Sequence, residues 1–145
     1  MTGARADGLT TLRTVIELAQ AMRARRDSRA LQAGHATVLA SLARGLHPVA
    51  DRQERRRVLA DARRLLADLI TADPGRNSEL SDASELALLD DDLPGAWQYA
   101  ERVEALGLGA EYDAAVISAA FAIGQDELIR QKARAPVPSV FRSGR

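Results

Sequence analysis

Residues 51–71 read DRQERRRVLADARRLLADLIT, and this stretch decides the fold. Val58, Leu59, Ala62, Leu65, Leu66, Leu69 and Ile70 recur at spacings of three and four. That is the period of a helix with one wide apolar face. Arg57 with Asp61, and Arg64 with Asp68, stand four residues apart on the wet side, the spacing of intrahelical ion pairs. The stretch therefore predicts a helix from about Asp51 to Thr71. Asp73-Pro74-Gly75-Arg76-Asn77 has the composition of a turn and ends it.

The same period extends in both directions. Upstream, Leu12, Val15, Ile16, Ala19 and Met22 predict a first helix from about Thr10 to Arg26. Asp27-Ser28 breaks it and supplies a cap for the next helix. That second helix carries Leu31, His35, Val38, Leu39, Leu42 and Leu46 on one face, and Gly45, His47 and Pro48 close it. Downstream, Asp82 and Glu85 have capping-box spacing, which predicts a short fourth helix over about Asp82–Asp90. Leu93-Pro94-Gly95 opens a fifth helix to about Leu106, with Trp97, Ala100 and Val103 inward, and Gly107-Leu108-Gly109 reads as its glycine C-cap. A sixth, from about Ala110 to Ile123, is rich in small residues and is expected to be the most buried. Gly124-Gln125 breaks it before a last turn over Asp126–Ala133. Pro136 and Pro138 keep residues 135–145 extended.

No stretch alternates like a strand. The expected architecture is all-α, a compact bundle or stacked hairpins of five to seven helices, with the third and sixth forming the core. Residues 1–134 form one helical domain and 135–145 an extended basic tail. Leu88–Ala96 and Phe121–Ile129 read as two hairpins about 33 residues apart, a spacing similar to tetratricopeptide-type hairpins. The Trp, Tyr and Pro signature of that family is not met in register, and no family is assigned.

The 145 residues carry 20 basic and 20 acidic side chains, so the formal net charge is zero. The zero conceals three blocks. Residues 1–76 hold fourteen Arg and eight acids; residues 77–127 hold one Arg and twelve acids; residues 128–145 hold four Arg, one Lys and no acid. Segregation of this kind is the least generic feature of the chain. Nineteen of the basic residues are Arg and there is no cysteine, which rules out disulfides, thiolate metal sites and a Cys nucleophile. Arg usage together with heavy Ala and Leu suggests a GC-rich bacterial or phage genome. No apolar run is long enough to span a bilayer and the N-terminal residues lack a secretory h-region, so a cytoplasmic protein with no membrane contact is expected.

Chemical motifs are sparse. His35 and His47 have no His-x-x-x-His or Glu-x-x-His spacing. His35 is read as a partly buried structural histidine, with a base that borrows acids from other helices as the sharper alternative. Asp90-Asp91-Asp92 does not match a calcium loop; Asp92 is expected to cap the fifth helix. No phosphate loop or nucleophile elbow occurs. No catalytic, cofactor or metal residue is therefore assigned, and an enzyme is not expected.

The partner-binding candidates are charged and apolar positions. On a helical wheel Arg63 and Arg56 fall about 20° and 40° from Arg52, a stripe without an acid on its own helix. The stripe fits nucleic-acid phosphates, the acidic 77–127 block, or solvent. Val137, Val140 and Phe141 are apolar anchors on the basic tail, suited to a groove on another subunit. Asp90 and Asp91 belong to the acidic counterpart. The expected function is a non-catalytic adaptor, assembly or accessory subunit that binds a protein partner or itself. The alternative is a subunit reading nucleic-acid backbone through Arg52, Arg56 and Arg63. Zero net charge and few aromatics count against that alternative.

Overall fold

The computed structural model describes residues 2–107 and 114–134. Among these the chain is all-α, with six helices: α1 (Thr2–Arg25), α2 (Arg29–Gly45), α3 (Arg52–Ala72), α4 (Asn77–Leu89), α5 (Leu93–Ala105) and α6 (Ala114–Arg134). Each helix packs on the next; α4 also reaches back to α2 and forward to α6. This is a stack of consecutive helical neighbours with α2, α3 and α4 at its centre.

All seven apolar residues of the α3 stripe are buried. They meet Leu39, Leu42 and Leu46 of α2 and Leu80, Ala83 and Leu86 of α4 in one cluster, to which α1 adds Ile16 and α5 adds Val103. A large aliphatic side chain contributes roughly 1.5–3 kcal/mol on full burial, so this central layer holds the fold. A second, smaller cluster joins Ala87 of α4, Ala96 and Ala100 of α5, and Ala119 of α6. Its fully buried members are all alanines, with Leu88, Trp97 and Val116 packed around them. Buried Ser84 tightens the seam by donating its hydroxyl to the Ala96 carbonyl at 2.8 Å.

The caps follow local chemistry. Ser28 Oγ accepts the Leu31 N–H at 3.1 Å and opens α2. Asp92 accepts the Gly95 N–H at 3.0 Å and opens α5. Any side chain at residue 95 would collide with that Asp92 carboxylate, which is why a glycine stands there. Gly107 ends α5 in the left-handed region, φ 66°. Gly45 works differently from expectation. It lies inside α2, and an added Cβ would come within 2.8 Å of Leu9 Cδ2, so it admits α1 rather than capping α2.

Four expectations need correction. α1 starts at Thr2, not near Thr10, and α2 is the only described helix its backbone packs on, with the Arg13 side chain reaching Glu54 of α3. With one neighbour it covers one narrow face: Ile16 is buried, while Leu18 stays 58 % exposed and Val15 and Met22 are exposed too. α4 starts at Asn77, so Asp82 and Glu85 sit in mid-helix and form no capping box. Leu80, 1 % exposed, needs a helix one turn earlier to reach the core. α6 runs unbroken through Gly124 and is not central. Ile117 and Phe121 are 54 % and 66 % exposed, because α6 ends the stack, and among its described side chains only Ala119 is fully enclosed. Residues 121–129 are therefore one helix, not a hairpin. The tail residues Val137, Val140 and Phe141 lie outside the described residues.

Candidate functional site

The opposite charge blocks meet within the chain. Arg29, at the start of α2, donates to Glu79 of α4 at 2.5 Å. Arg44, near the end of α2, grips Glu85 of α4 with two bonds of 2.6 and 2.9 Å. Arg63 of α3 reaches the α4–α5 turn and binds Asp90 and Asp92, each at 2.7 Å. Burial works against the Arg63 charge, but hydrogen bonds to Asp92 and Asp90 outweigh it and raise its pKa. Asp92 is correspondingly lowered, first by Arg63 and then by the Gly95 N–H. Asp90 and Asp92 are thus a clamp on α3, and Asp91 between them adopts φ 56°, a left-handed conformation that Asp tolerates better than most residues.

Other basic residues are paired locally. Arg13 of α1 forms a fork with Glu54 of α3, both bonds 2.8 Å, and this lowers the Glu54 pKa. Arg64 donates to Asp61 at 3.0 Å, one turn back, rather than forward to Asp68.

Against this background the start of α3 stands out. Arg52, Arg55, Arg56 and Arg57 occupy its first two turns, and none has an acidic hydrogen-bond partner among the described residues. Cations here oppose the positive end of the helix dipole. The N-cap residue Asp51 makes no cap bond; its carboxylate accepts the His47 N–H at 2.9 Å instead. His47 Nδ1 in turn accepts the N–H groups of Val49 and Ala50. That network folds the α2–α3 loop and projects Val49, 76 % exposed, beside the arginines.

Arg52, Arg55 and Arg56 line a cleft of about 240 Å³ together with Pro48, Leu59, Leu89, Asp90 and Asp91. Four residues singled out from sequence, Arg52, Arg56, Asp90 and Asp91, therefore come together. Arg63 stands apart, taken up by the clamp. Arg55 was missed. It lies about 60° from Arg52 on the wheel, toward the apolar face. Its half-covered position leaves Nε buried without a hydrogen-bond partner. The wheel contained that signal, since Arg55 falls inside the apolar stripe of α3, where a guanidinium is drawn toward burial.

A second polar cluster surrounds His35. Gln20, Arg23, Asp61, Arg64 and Asp68 line a cleft of about 220 Å³ with it, so acids from another helix do approach this ring. Arg23 is held by Asp27 at 3.0 Å, whose carboxyl is pulled down to about 2 by hydrogen bonds from Arg23 and Gln32. The same guanidinium contacts His35 Nδ1 at 2.9 Å. Arginine only donates, so Nδ1 is the acceptor and the neutral ring carries its proton on Nε2. Burial and the Arg23 charge lower the His35 pKa, favouring that neutral form. Neither nitrogen then offers a free lone pair to a substrate: Nδ1 is a structural acceptor, and the buried Nε2 has no hydrogen-bond partner.

Among the described residues no group of three or more His, Asp or Glu is arranged to hold a metal ion, and no helix is long and apolar enough to cross a membrane. Comparison with known protein families, curated proteins and solved structures finds no match for this chain.

Proposed function

We propose that this chain is a non-catalytic interaction protein that docks an acidic segment of a protein partner against the amino-terminal end of α3. The observation that carries the reading is the contrast within one charge block. Arg29, Arg44, Arg63 and Arg64 all have carboxylate partners in the chain, whereas none of the four arginines at the start of α3 is hydrogen-bonded to a carboxylate among the described residues. Exposed Val49 beside them supplies an apolar anchor, and an apolar centre with an arginine rim is the composition of a protein-binding patch. Asp91, across the cleft with no cation partner among the described residues, can accept an N–H from a peptide backbone, which a sugar–phosphate backbone does not offer, and this favours a protein over a polyphosphate chain. The basic tail with Val137, Val140 and Phe141 is the second arm of this proposal.

The test is fluorescence anisotropy with a labelled glutamate-rich peptide and, separately, a labelled DNA duplex, each at low and high salt. The peptide is expected to bind at low salt and to weaken as salt screens the contact. Exposed ion pairs contribute roughly 0.2–1 kcal/mol each, so replacing Arg52, Arg56 and Arg57 by Gln is expected to cost about tenfold in affinity. Peptide binding that is absent at low salt, or unchanged in the triple variant, refutes the reading. Tight duplex binding lost in the same variant moves the assignment to nucleic acid.

A further inference from the structure

Within the arginine end of α3, three guanidinium side chains converge on one compact cleft. Arg52, Arg55 and Arg56 face into the same cleft, and Asp90 and Asp91 close it from the α4–α5 turn. Its volume of about 240 Å³ falls below the roughly 300–1,000 Å³ typical of pockets for drug-sized ligands, and suits a single small group. Arg55 lines the cleft without an acidic hydrogen-bond partner among the described residues, and its Nε is buried without any partner, so its charge is balanced by no carboxylate of the described chain. Guanidinium forks match the oxygens of a phosphate in pairs, and three of them match a tetrahedral dianion better than a planar monoanion. The amino end of α3 adds its partial positive charge, left uncapped by Asp51.

The opposite wall sets the kind of phosphate. Asp90 is already neutralised by Arg63 at 2.7 Å, while Asp91 has no cation partner among the described residues. A nucleic-acid strand passing through the cleft would bring its next phosphate against Asp91. A terminal phosphate ends there, and Asp91 is free to accept an N–H from the chain that carries it. We propose that this cleft binds a phosphate monoester, presented as phosphoserine by the docking partner. The inference rests on the protein-docking reading above and adds the chemistry that the cleft selects.

The experiment is calorimetric titration of the full chain with four probes. These are a capped glycine-rich peptide carrying one phosphoserine, the same peptide with glutamate at that position, the same with unmodified serine, and inorganic phosphate. The phosphopeptide is expected to bind at least tenfold tighter than the glutamate peptide, inorganic phosphate more weakly than the phosphopeptide, and the serine peptide not at all. Arg55→Lys keeps the charge but removes the fork and Nε–H, and is expected to reduce phosphopeptide affinity about tenfold. Arg52→Lys, at an exposed position that leaves folding intact, is expected to act in the same direction. Equal binding of phosphoserine and glutamate peptides overturns the phosphate site and leaves acidic docking standing. Inorganic phosphate binding as tightly as the phosphopeptide overturns the partner as its source. No binding by any peptide overturns the phosphate site while acidic docking is still judged by the glutamate-rich peptide, and unaltered affinity in both lysine variants overturns the assignment of the phosphate to this cleft.

Discussion

Removing Glu79 tests what fastens α4 to the centre of the fold. Glu79 is 6 % exposed and accepts from Arg29 at 2.5 Å. Arg29 also donates to the Leu69 carbonyl at a long 3.3 Å, and its Nε is buried without a partner. In Glu79→Ala the guanidinium keeps only that long bond. Breaking a fully buried pair costs about 3–5 kcal/mol because one charge is left uncompensated. The Arg29 side chain is 31 % exposed, so water returns to part of it and the expected loss is about 2 kcal/mol. With a urea slope of roughly 1–3 kcal/mol per molar, the midpoint should fall by about 1 M. The double change Arg29→Met with Glu79→Leu removes both charges and refills the space, so it is expected to recover most of that loss. Asp61→Ala breaks the Arg64 pair, whose guanidinium is 74 % exposed, and should move the midpoint by less than a quarter as much. Urea unfolding followed by circular dichroism reads all three. A Glu79→Ala midpoint no lower than that of Asp61→Ala, or a double variant as weak as the single, would refute the reasoning.

Two further outcomes follow from local features. Asp82 is partly buried on α4, and burial raises its pKa. A raised carboxyl pKa means that the folded state holds the proton more tightly than the unfolded chain. The resulting stability is complete below the unfolded pKa and is lost as pH rises through the folded value. Asp82→Asn is therefore expected to raise Tm at neutral pH, with a gain that shrinks at acid pH; a gain that grows on acidification would contradict the sign. Gly34 lies inside α2, and an added Cβ would meet nothing within 4 Å. Gly34→Ala is expected to stabilise by about 0.5–1 kcal/mol through helix propensity and unfolded-state entropy, seen in calorimetry as a Tm rise of about 2–3 °C.

Helix periodicity located α3 and its buried face because α3 is enclosed by α2 and α4, so every apolar position has something to meet. The same reading overestimated α6. Its Ala-rich sequence is equally compatible with a central helix and with a terminal one that meets α4 and α5 through Ala119 and half-buried Val116. Periodicity reports which side of a helix is apolar and is silent on how many neighbours cover it. α4 shows the complementary failure. Capping-box spacing at Asp82 and Glu85 is a local signal worth about 1 kcal/mol. Enclosing Leu80 contributes more, and the helix begins a turn earlier.

The charge pattern divides in the same way. The wheel placed Arg52, Arg56 and Arg63 on one stripe and gave no means of ranking them, since all three lack an acid on α3. What separates them is height along the helix. Arg56 and Arg63 are seven residues apart, about 10 Å of rise, and the α4–α5 turn delivers Asp90 and Asp92 at the level of Arg63. The clamp there fixes the turn, and the fixed turn makes Asp90 and Asp91 the far wall of the cleft below. Arg63 is thus a positioning residue for a site that it does not line. Segregation of charge along the sequence is explained first by this intrachain fastening of α4 onto α2 and α3. The arginines at the start of α3 lie beyond its reach.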